Sequence, residues 1–301
     1  MKKIALLLNG YAGNGILQGK TYHIIEQLST PDNELTVFPI TPKQINPSYI
    51  PYLQHHHDYD LIVCGGGDGT LNHIVNMVME LPYKPILGYI PAGTTNDFAR
   101  GIQIPTNVDE ACDVILHGTP FAYDLGKLND TYFNYVAAFG AFASVSYSTE
   151  QSIKNIFGHT AYILSAIAEL PQHINYKRHM KIETDVFTIE DDFIFGAIFS
   201  SSSVGGIDIS RLSDAHINDG KFEIILVKYP ENILDSGQII QSLMDMNFDN
   251  PYLIYASITK ASIQSKDIAW SIDGEYGGVT NQATFEVYPQ AIQIMIPKTK
   301  K

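Results

Sequence analysis

A glycine-rich stretch with a single acidic residue, Cys64 to Thr70 (CGGGDGT), is the part of the sequence where residue types and spacing first suggest chemistry. A glycine-rich turn between a strand and a helix allows backbone N–H groups to approach phosphate oxygens. Asp68 would repel phosphate unless Mg²⁺ lies between them, because this cation binds through one or two carboxylates, several waters and phosphate oxygens. The pattern therefore predicts a site for a phosphorylated ligand and Mg²⁺, in which Asp68 holds the metal through its water shell.

Two further glycine-containing turns are predicted to line the same site. Residues 91–100 (PAGTTNDFAR) again carry an aspartate, Asp97. Residues 9–22 (NGYAGNGILQGKTY) nearly match two phosphate-binding motifs. A P-loop would need a glycine where Asn14 stands, and in the dinucleotide fingerprint Gly19 would have to come one residue earlier. The stretch matches neither motif, so it predicts only a glycine-rich turn able to line a nucleotide.

The elements that would position these turns alternate in type along residues 1–120. The predicted strands are 3–9, 34–40, 60–64 and 85–90, and the predicted helices include 21–28, 48–57, 71–78 and 108–116. This alternation favours a parallel sheet covered by helices. In such sheets ligands bind at the carboxyl ends of the strands, which is where the three glycine turns would lie.

The pattern changes after residue 122, where strand-like runs dominate around one helical stretch near 150–170. The runs are 121–127, 132–138, 178–188, 191–203, 221–228, 252–258, 262–271, 283–288 and 291–296. They predict a mostly antiparallel second domain. The predicted fold class is therefore α/β plus β, with an N-terminal doubly wound parallel-sheet nucleotide domain and a C-terminal antiparallel β-sandwich domain.

Composition limits the classes of partner. The chain of 301 residues has a formal net charge of −13, which disfavours general nucleic-acid binding and strong attraction to an anionic membrane. No run of about 18 apolar residues is present, so no transmembrane segment is predicted. The apolar run Ile4–Leu8 ends at Asn9 without a cleavage site after it, which favours a buried first strand and a cytoplasmic protein. Residues 171–182 contain Lys177, Arg178 and Lys181 without an acid, and a solvated strand or loop is favoured there over a lipid-facing patch.

Four motifs together resemble those of a known family. Residues 66–72 (GGDGTLN) and 93–98 (GTTNDF) are similar to the diacylglycerol kinase catalytic domain, a family that includes sphingosine and ceramide kinases and shares its fold more distantly with NAD kinases. Residues 213–227 (SDAHINDGKFEIILV) and 273–278 (DGEYGG) resemble two further family signatures, so the resemblance covers nearly the whole chain. His73 is a departure, because the family commonly has Glu there and a neutral His cannot replace a carboxylate.

The resemblance implies two domains with an active site in the cleft between them, and it implies ATP and Mg²⁺ as cofactors. The nucleotide-binding domain would comprise 1–124 and 289–301, and the lipid-binding β-sandwich domain 125–288. The residues implied to line the nucleotide are Asn9, Gly10, Gly13, Asn14, Thr41, Gly66, Gly67, Asp68, Gly69, Thr70, Leu71, Asn72, Thr94 and Asn96.

The resemblance also implies roles for the acidic residues. Asp68, Asp97 and Asp124 would form a carboxylate network around the magnesium ion. Glu275 would be the general base with Asp273 beside it, and Asp68 is the rival candidate for that base. A second, structural Mg²⁺ site would be formed by Asp214, with Arg211 and His216 contributing mainly backbone oxygens.

These features favour an ATP-dependent kinase of a lipid hydroxyl, with diacylglycerol converted to phosphatidic acid as the leading reaction. Kinases of phosphatidylglycerol, undecaprenol, a sphingoid base or, as in NAD kinases, a soluble substrate remain alternatives, as does a non-catalytic nucleotide- or lipid-binding protein. The presence of Asp68, Asp97, Asp124 and Glu275 disfavours a non-catalytic binding protein. The lipid would be met at the inner face of the membrane by a peripheral protein, and family likeness implies a homodimer. Residues 133–142 and 160–171 are equally candidates for walls of a lipid groove and for ordinary core.

Overall fold

The structure is a computed structural model of the chain, which describes residues 1–41, 48–56, 58–140, 177–200, 203–204, 207–208, 217–245 and 247–298. The chain divides into two compact units. Unit 1 comprises Met1–Tyr123 and Gln290–Lys301, and unit 2 comprises Asp124–Pro289. The chain therefore passes from unit 1 to unit 2 and returns at its carboxyl end.

Unit 1 is built on parallel strands. These are β1 (Lys2–Asn9), β2 (Asn33–Ile40), β3 (Leu61–Gly66) and β4 (Ile86–Pro91), and their spatial order is β2-β1-β3-β4. The helices are α1 (Ile16–Leu28), α2 (Tyr49–His55), α3 (Asp68–Glu80), α4 (Asp97–Gly101) and α5 (Val108–His117), and a 3₁₀ turn, Ala12–Gly15, precedes α1. The path runs outward from β1 to β2 and in the other direction from β3 to β4, so β1 and β3 lie side by side where the strand order reverses. Ligands bind at such a point in open α/β sheets.

Both faces of this sheet are buried, which explains the continuous apolar run of β1. Leu6 and Leu8 pack in one cluster with residues of α1 and α5, such as Ile24 and Cys112. The alternate residues Ala5 and Leu7 are also fully buried, and α3 packs on β3. Because neighbouring residues of a strand point to opposite faces, the strand requires apolar side chains at every position rather than at alternate ones.

Unit 2 is largely antiparallel. Its strands are the later part of β5 (Thr119–Leu128), β6 (Thr131–Phe133), β7 (Val136–Gly140), β8 (Arg178–Thr184), β9 (Thr188–Phe199), β10 (Ser203–Val204), β11 (Ile207–Asp208), β12 (Phe222–Lys228), β13 (Leu253–Ile258), β14 (Lys260–Ile272) and most of β15 (Glu275–Ile296). Antiparallel pairing gives the order β13-β12-β9-β7-β14-β15. Its core includes six large aromatic side chains, Phe133, Phe139, Phe193, Phe222, Trp270 and Phe285. A mixed α/β chain rich in sheet, as predicted from the sequence, is confirmed.

For the second half of the chain, one helix was not predicted and two strand predictions were wrong in their bounds. The sequence reading missed α6 (Ile233–Met244), whose capping box pairs Asn232 with Asp235 and whose Ile239 packs against Val227. The strands predicted at 283–288 and 291–296 belong to one strand of 22 residues, β15. The strand predicted over 132–138 is interrupted between β6 and β7.

Two further sequence predictions concern helical segments. The helix predicted near 150–170 lies outside the described residues. Within the described ranges, no helix has the length and apolar character needed to cross a bilayer.

Candidate active site

Two glycine turns of unit 1 meet backbone to backbone. A Cβ atom placed on Gly93 would lie 2.8 Å from the Gly67 Cα, and one placed on Gly67 would lie 3.0 Å from the Gly93 Cα. Gly67 follows β3 and Gly93 follows β4, and the Ala92 N–H donates to the Gly66 carbonyl at 2.8 Å. The contact leaves no room for a side chain, so these turns present bare backbone at the carboxyl edge of the sheet.

The turn after β1 joins the same cluster. Gly13 has a φ of +54°, and a Cβ atom there would lie 1.9 Å from the Ala92 carbonyl oxygen. The Asn9 side chain connects this turn to α3, because its Nδ2 donates to Thr70 Oγ1 at 2.9 Å. The structure therefore brings all three glycine turns singled out in the sequence to one edge of unit 1.

Asp68 and Asp97 lie together at this edge. Asp68 is the first residue of α3, and its Oδ2 accepts hydrogen bonds from the Asp97 backbone N–H at 3.2 Å and from Thr95 Oγ1 at 3.4 Å. Asp68 Oδ1 and Asp97 Oδ2 are both buried atoms. The start of the 13-residue helix α3 favours the negative charge of Asp68. The site thus holds two acidic side chains beside half-buried glycine backbone.

Asn96 shapes the third turn rather than projecting freely from it. Its backbone is left-handed, with a φ of +51°. Its side-chain Oδ1 accepts from the Gly93 N–H at 2.7 Å and its Nδ2 donates to the Gly93 carbonyl at 3.0 Å. These two bonds fix the position of Gly93 against Gly67, so Asn96 acts on the turn through the backbone.

The remaining residues of the nucleotide set differ in their surroundings. The Leu71 side chain is fully buried and its N–H donates to the Gly67 carbonyl, so it closes the turn from inside. Asn72 accepts from Asn76 Nδ2 through its carbonyl and its Oδ1, at 2.9 and 3.2 Å. Gly10, Asn14, Thr41, Gly69 and Thr94 all follow the carboxyl ends of unit 1 strands or lie in the first turn of α3, and Thr94 is exposed.

His73, the departure from the family pattern, is paired with a residue that sequence reasoning missed. Its Nε2 lies 2.9 Å from the hydroxyl of Tyr49, which belongs to α2. Burial lowers the pKa of His73 and raises that of Tyr49, so both side chains are uncharged near neutral pH. The residue therefore connects α3 to α2 by a neutral hydrogen bond, and no carboxylate stands at this position.

The donors in unit 1 fit a cation bound together with phosphate oxygens. Across the ranges that the structure describes, no three His, Cys, Asp or Glu side chains are grouped closely enough to hold a metal ion. Mg²⁺ commonly uses one or two carboxylates, with waters and phosphate completing its shell. The pKa of the Tyr89 phenol lies well above its usual value. Burial is the main cause, and the nearby Asp68, Cys64 and Asp97 side chains add to it. The pair Asp68 and Asp97 thus makes a negative site beside the bare backbone of the glycine turns.

In unit 2 the Asp273-Gly274 turn separates the two acids predicted to act together. Asp273 and Gly274 have φ values of +46° and +80° between β14 and β15, as a two-residue type I′ hairpin requires. The Asp273 side chain is 2% exposed and accepts from Asn134 N, Asn134 Nδ2, Tyr135 N and Val136 N at 2.8, 2.9, 3.0 and 3.1 Å. Glu275 is exposed at the start of β15. A regular strand would have put both acids on one side, and the turn prevents this.

These bonds give Asp273 a structural role. Its carboxylate accepts four hydrogen bonds and thereby anchors the turn that precedes Glu275. Its predicted role beside Glu275 in proton transfer stays a prediction.

Asp124 and the second predicted metal site belong to unit 2. Asp124 is fully buried, its Oδ2 accepts from the Gly220 N–H at 2.6 Å, and its own N–H donates to the Ile217 carbonyl at 2.9 Å. It thereby holds the turn before β12, and its role toward a metal stays a prediction. Arg211, Asp214 and His216 lie outside the described residues.

The lysines of the basic stretch carry acidic partners. Lys177 pairs with Asp192 at 2.6 Å and Lys181 with Glu183 at 2.7 Å. Their charges are therefore largely offset, which favours the solvated strand over a lipid-facing patch. Of the two candidate groove walls, Phe133, Ala137 and Phe139 pack in the unit 2 core, and 160–171 lie outside the described residues.

Comparison with known proteins gives a consistent family. Residues 3–128 match the family model described as the diacylglycerol kinase catalytic domain. A protein of Staphylococcus carnosus named diacylglycerol kinase is 34% identical over 246 residues, which cover 81% of this chain and 79% of that protein. One of Staphylococcus epidermidis with the same name is 35% identical over 243 residues, covering 80% of this chain and 75% of that protein. The crystal structure of a proposed diacylglycerol kinase from Bacillus anthracis str. Sterne matches with a TM-score of 0.80 and 25% identity, over 98% of this chain and 95% of that one.

Proposed function

Because the chain belongs to the diacylglycerol kinase family and is a phosphotransferase of that type, we propose that it transfers the γ-phosphoryl group of ATP to the hydroxyl of diacylglycerol. The hydroxyl oxygen forms a bond to the γ-phosphorus as the bond to the β–γ bridging oxygen breaks. The products are phosphatidic acid and ADP. Positioning and charge stabilisation supply most of the rate in phosphoryl transfer.

The observation that carries the proposal is the contact between Gly67 and Gly93 beside Asp68 and Asp97. Bare backbone from two turns can approach the ATP phosphates, and the N-terminus of α3 favours bound anions. Unit 1 is thus the nucleotide-binding domain of doubly wound type. The residues that line the nucleotide are those of the three glycine turns together with Thr41.

Asp68 and Asp97, joined by Asp124, are the side chains that would hold Mg²⁺ through its water shell. The bound cation would offset negative charge on the β- and γ-phosphates. Asp68 and Asp97 also keep the third turn in place, because the Asp97 N–H donates to Asp68. We assign Arg211, Asp214 and His216 to a second, structural cation site.

Glu275 accepts the proton of the lipid hydroxyl. It is exposed and is the first residue after the hairpin turn. The hydrogen bonds from Asn134 and Tyr135 to Asp273 hold that turn in place. Unit 2 is the lipid-binding domain of β-sandwich type. The protein would meet its substrate as a cytoplasmic, peripheral homodimer at the inner face of the membrane.

A direct assay tests this function. The purified protein is incubated with [γ-³²P]ATP, Mg²⁺ and one candidate acceptor at a time. The acceptors are diacylglycerol, phosphatidylglycerol, undecaprenol, a sphingoid base and NAD. We expect labelled phosphatidic acid in large excess over the other products, and a rate of its formation about 10²–10⁴-fold lower in a Glu275→Gln variant. Glu286→Gln is the matched control, because Glu286 is an exposed acid on the same strand. Label transferred to NAD alone would contradict a lipid kinase.

A further inference from the structure

The hydroxyl of Tyr89 is a buried polar group that the proposed reaction does not yet use. Tyr89 is in β4, its side chain is 1% exposed, and its hydroxyl finds no hydrogen-bond partner among the residues that the structure describes. Leaving such a group unsatisfied costs free energy, so a buried orphan in a native protein commonly marks a place for a ligand, a water or an ion.

Strand pairing places this tyrosine beneath the glycine turns. Tyr89 is the register partner of Cys64 on β3, so the two side chains project from the same face of the sheet. Two residues further along each strand, Gly66 pairs with Pro91, where the phosphate-facing turns begin. The tyrosine therefore lies in the layer that supports these turns.

The groups around the hydroxyl are acidic. The carboxylates of Asp68 and Asp97 both act on the Tyr89 phenol, and each has one buried oxygen atom. A tyrosine hydroxyl carries its proton at neutral pH and can donate one hydrogen bond, whereas ionised carboxylates can only accept. The orphaned donor and the acidic acceptors are therefore complementary.

We propose that Tyr89 is a positioning residue for the acidic pair, and that its hydroxyl donates its one hydrogen bond to a carboxylate of the Asp68–Asp97 pair when the site is loaded with the divalent cation and nucleotide. The bond would hold that carboxylate in one orientation toward the hydrated cation. This inference rests on the proposed function, because it assumes that the pair serves a cation bound with a nucleotide. Phe at this position would keep the packing and lose only the donor.

Tyr59 offers a matched control in the same unit. It is also a buried tyrosine, but its hydroxyl already donates to Thr36 Oγ1 at 3.0 Å. Removing a hydroxyl that has a partner should lower stability, whereas removing an orphan should leave stability unchanged or raise it. Tyr89→Phe and Tyr59→Phe therefore remove the same atom with opposite expected effects.

The test combines calorimetric titration of Mg²⁺ in the presence of a non-hydrolysable ATP analogue with thermal unfolding of the ligand-free protein. For Tyr89→Phe we expect Mg²⁺ affinity to fall about tenfold, the loss of one hydrogen bond to a charged group. Its Tm should equal or exceed that of the wild type. Tyr59→Phe should show a lower Tm with unchanged affinity.

The outcomes separate the two proposals. If the wild type binds Mg²⁺ with the analogue and Tyr89→Phe binds equally well, the positioning role is wrong and the proposed function stands. A Tyr89→Phe variant that loses stability but no affinity would also overturn the role, since the hydroxyl would then serve packing alone. If the wild type itself binds no Mg²⁺–nucleotide complex, the proposed function fails and this inference fails with it.

Discussion

Gly67 and Gly93 touch through their backbones, and a Cβ atom on Gly93 would lie 2.8 Å from the Gly67 Cα. A contact between two backbones cannot be relieved by rotating a side chain. The two turns would have to move apart, and the backbone that we propose approaches the ATP phosphates would move with them.

Gly93→Ala should therefore weaken ATP-analogue binding by roughly tenfold or more, a penalty of about 1–2 kcal/mol from shifted turns. Gly19→Ala is the matched control, because its Cβ would meet nothing within 4 Å and it lies within α1. That variant should bind normally and gain about 0.5–1 kcal/mol of stability from helix propensity. If calorimetry shows that the two variants bind the ATP analogue with equal affinity, the proposal that the glycine turns approach the phosphates is wrong.

Asp68→Asn should raise the Mg²⁺ concentration needed for nucleotide binding, since the amide keeps the shape of the side chain and loses the charge. The measurement is ATP-analogue affinity as a function of Mg²⁺ concentration. Asp113→Asn is the control, because Asp113 is a largely exposed acid on α5. If Asp68→Asn keeps the wild-type Mg²⁺ dependence, Asp68 does not serve the cation.

Glu275→Gln and Asp273→Asn should fail in different ways. Glu275→Gln should lower kcat by about 10²–10⁴-fold, the usual contribution of a general base, with an unchanged Tm. Asp273→Asn should lower the Tm, because the charged acceptor of four hydrogen bonds is lost at a cost of about 1–3 kcal/mol or more. Near wild-type kcat in Glu275→Gln would shift the choice of base to Asp68.

Glu223 should make stability depend on pH. It is 2% exposed on β12, its Oε1 accepts from Ser257 Oγ at 3.2 Å, and burial raises its pKa from 4.5 to about 7. The folded state therefore holds this proton more tightly than the unfolded state, so the free energy of unfolding falls as the pH rises from 4.5 through 7.

Glu223→Gln removes that titration and retains a partner for Ser257. We expect the variant to be more stable than the wild type at pH 8, by up to about 3 kcal/mol, and nearly equal to it at pH 4. Denaturant unfolding at both pH values measures the difference, with Glu286→Gln as the exposed control. A constant difference across this range would show that Glu223 does not titrate as its burial implies.

The parts of the fold that follow from local chemistry were predictable. Strands β1 to β4 begin and end within two residues of the predicted positions, because short apolar runs between glycine turns leave few alternatives. The Asp-Gly pair at 273–274 likewise specifies a hairpin by itself. The family and the kinase class followed from the four motifs and are confirmed.

The parts that depend on tertiary contacts were not predictable. The approach of Gly13 to Ala92 and the bonds from Asn134 to Asp273 join residues far apart in the chain. Tyr89 looked like an ordinary strand residue, and only its burial beneath the turns singles it out. Helix α6 carried a readable signal in Asn232 and Asp235, but Gly237 in its interior weakens the helical pattern.

The most direct measurement of the central claim is mass spectrometry of a total bacterial lipid extract after reaction with the protein and ATP labelled with ¹⁸O in the γ-phosphate. Unlike a panel, the extract offers the enzyme every lipid at once. The account predicts labelled phosphatidic acid, a matching loss of diacylglycerol and much less labelled product with Asp68→Asn at the same Mg²⁺ concentration. Labelled phosphate on a different lipid, or on none, would contradict it.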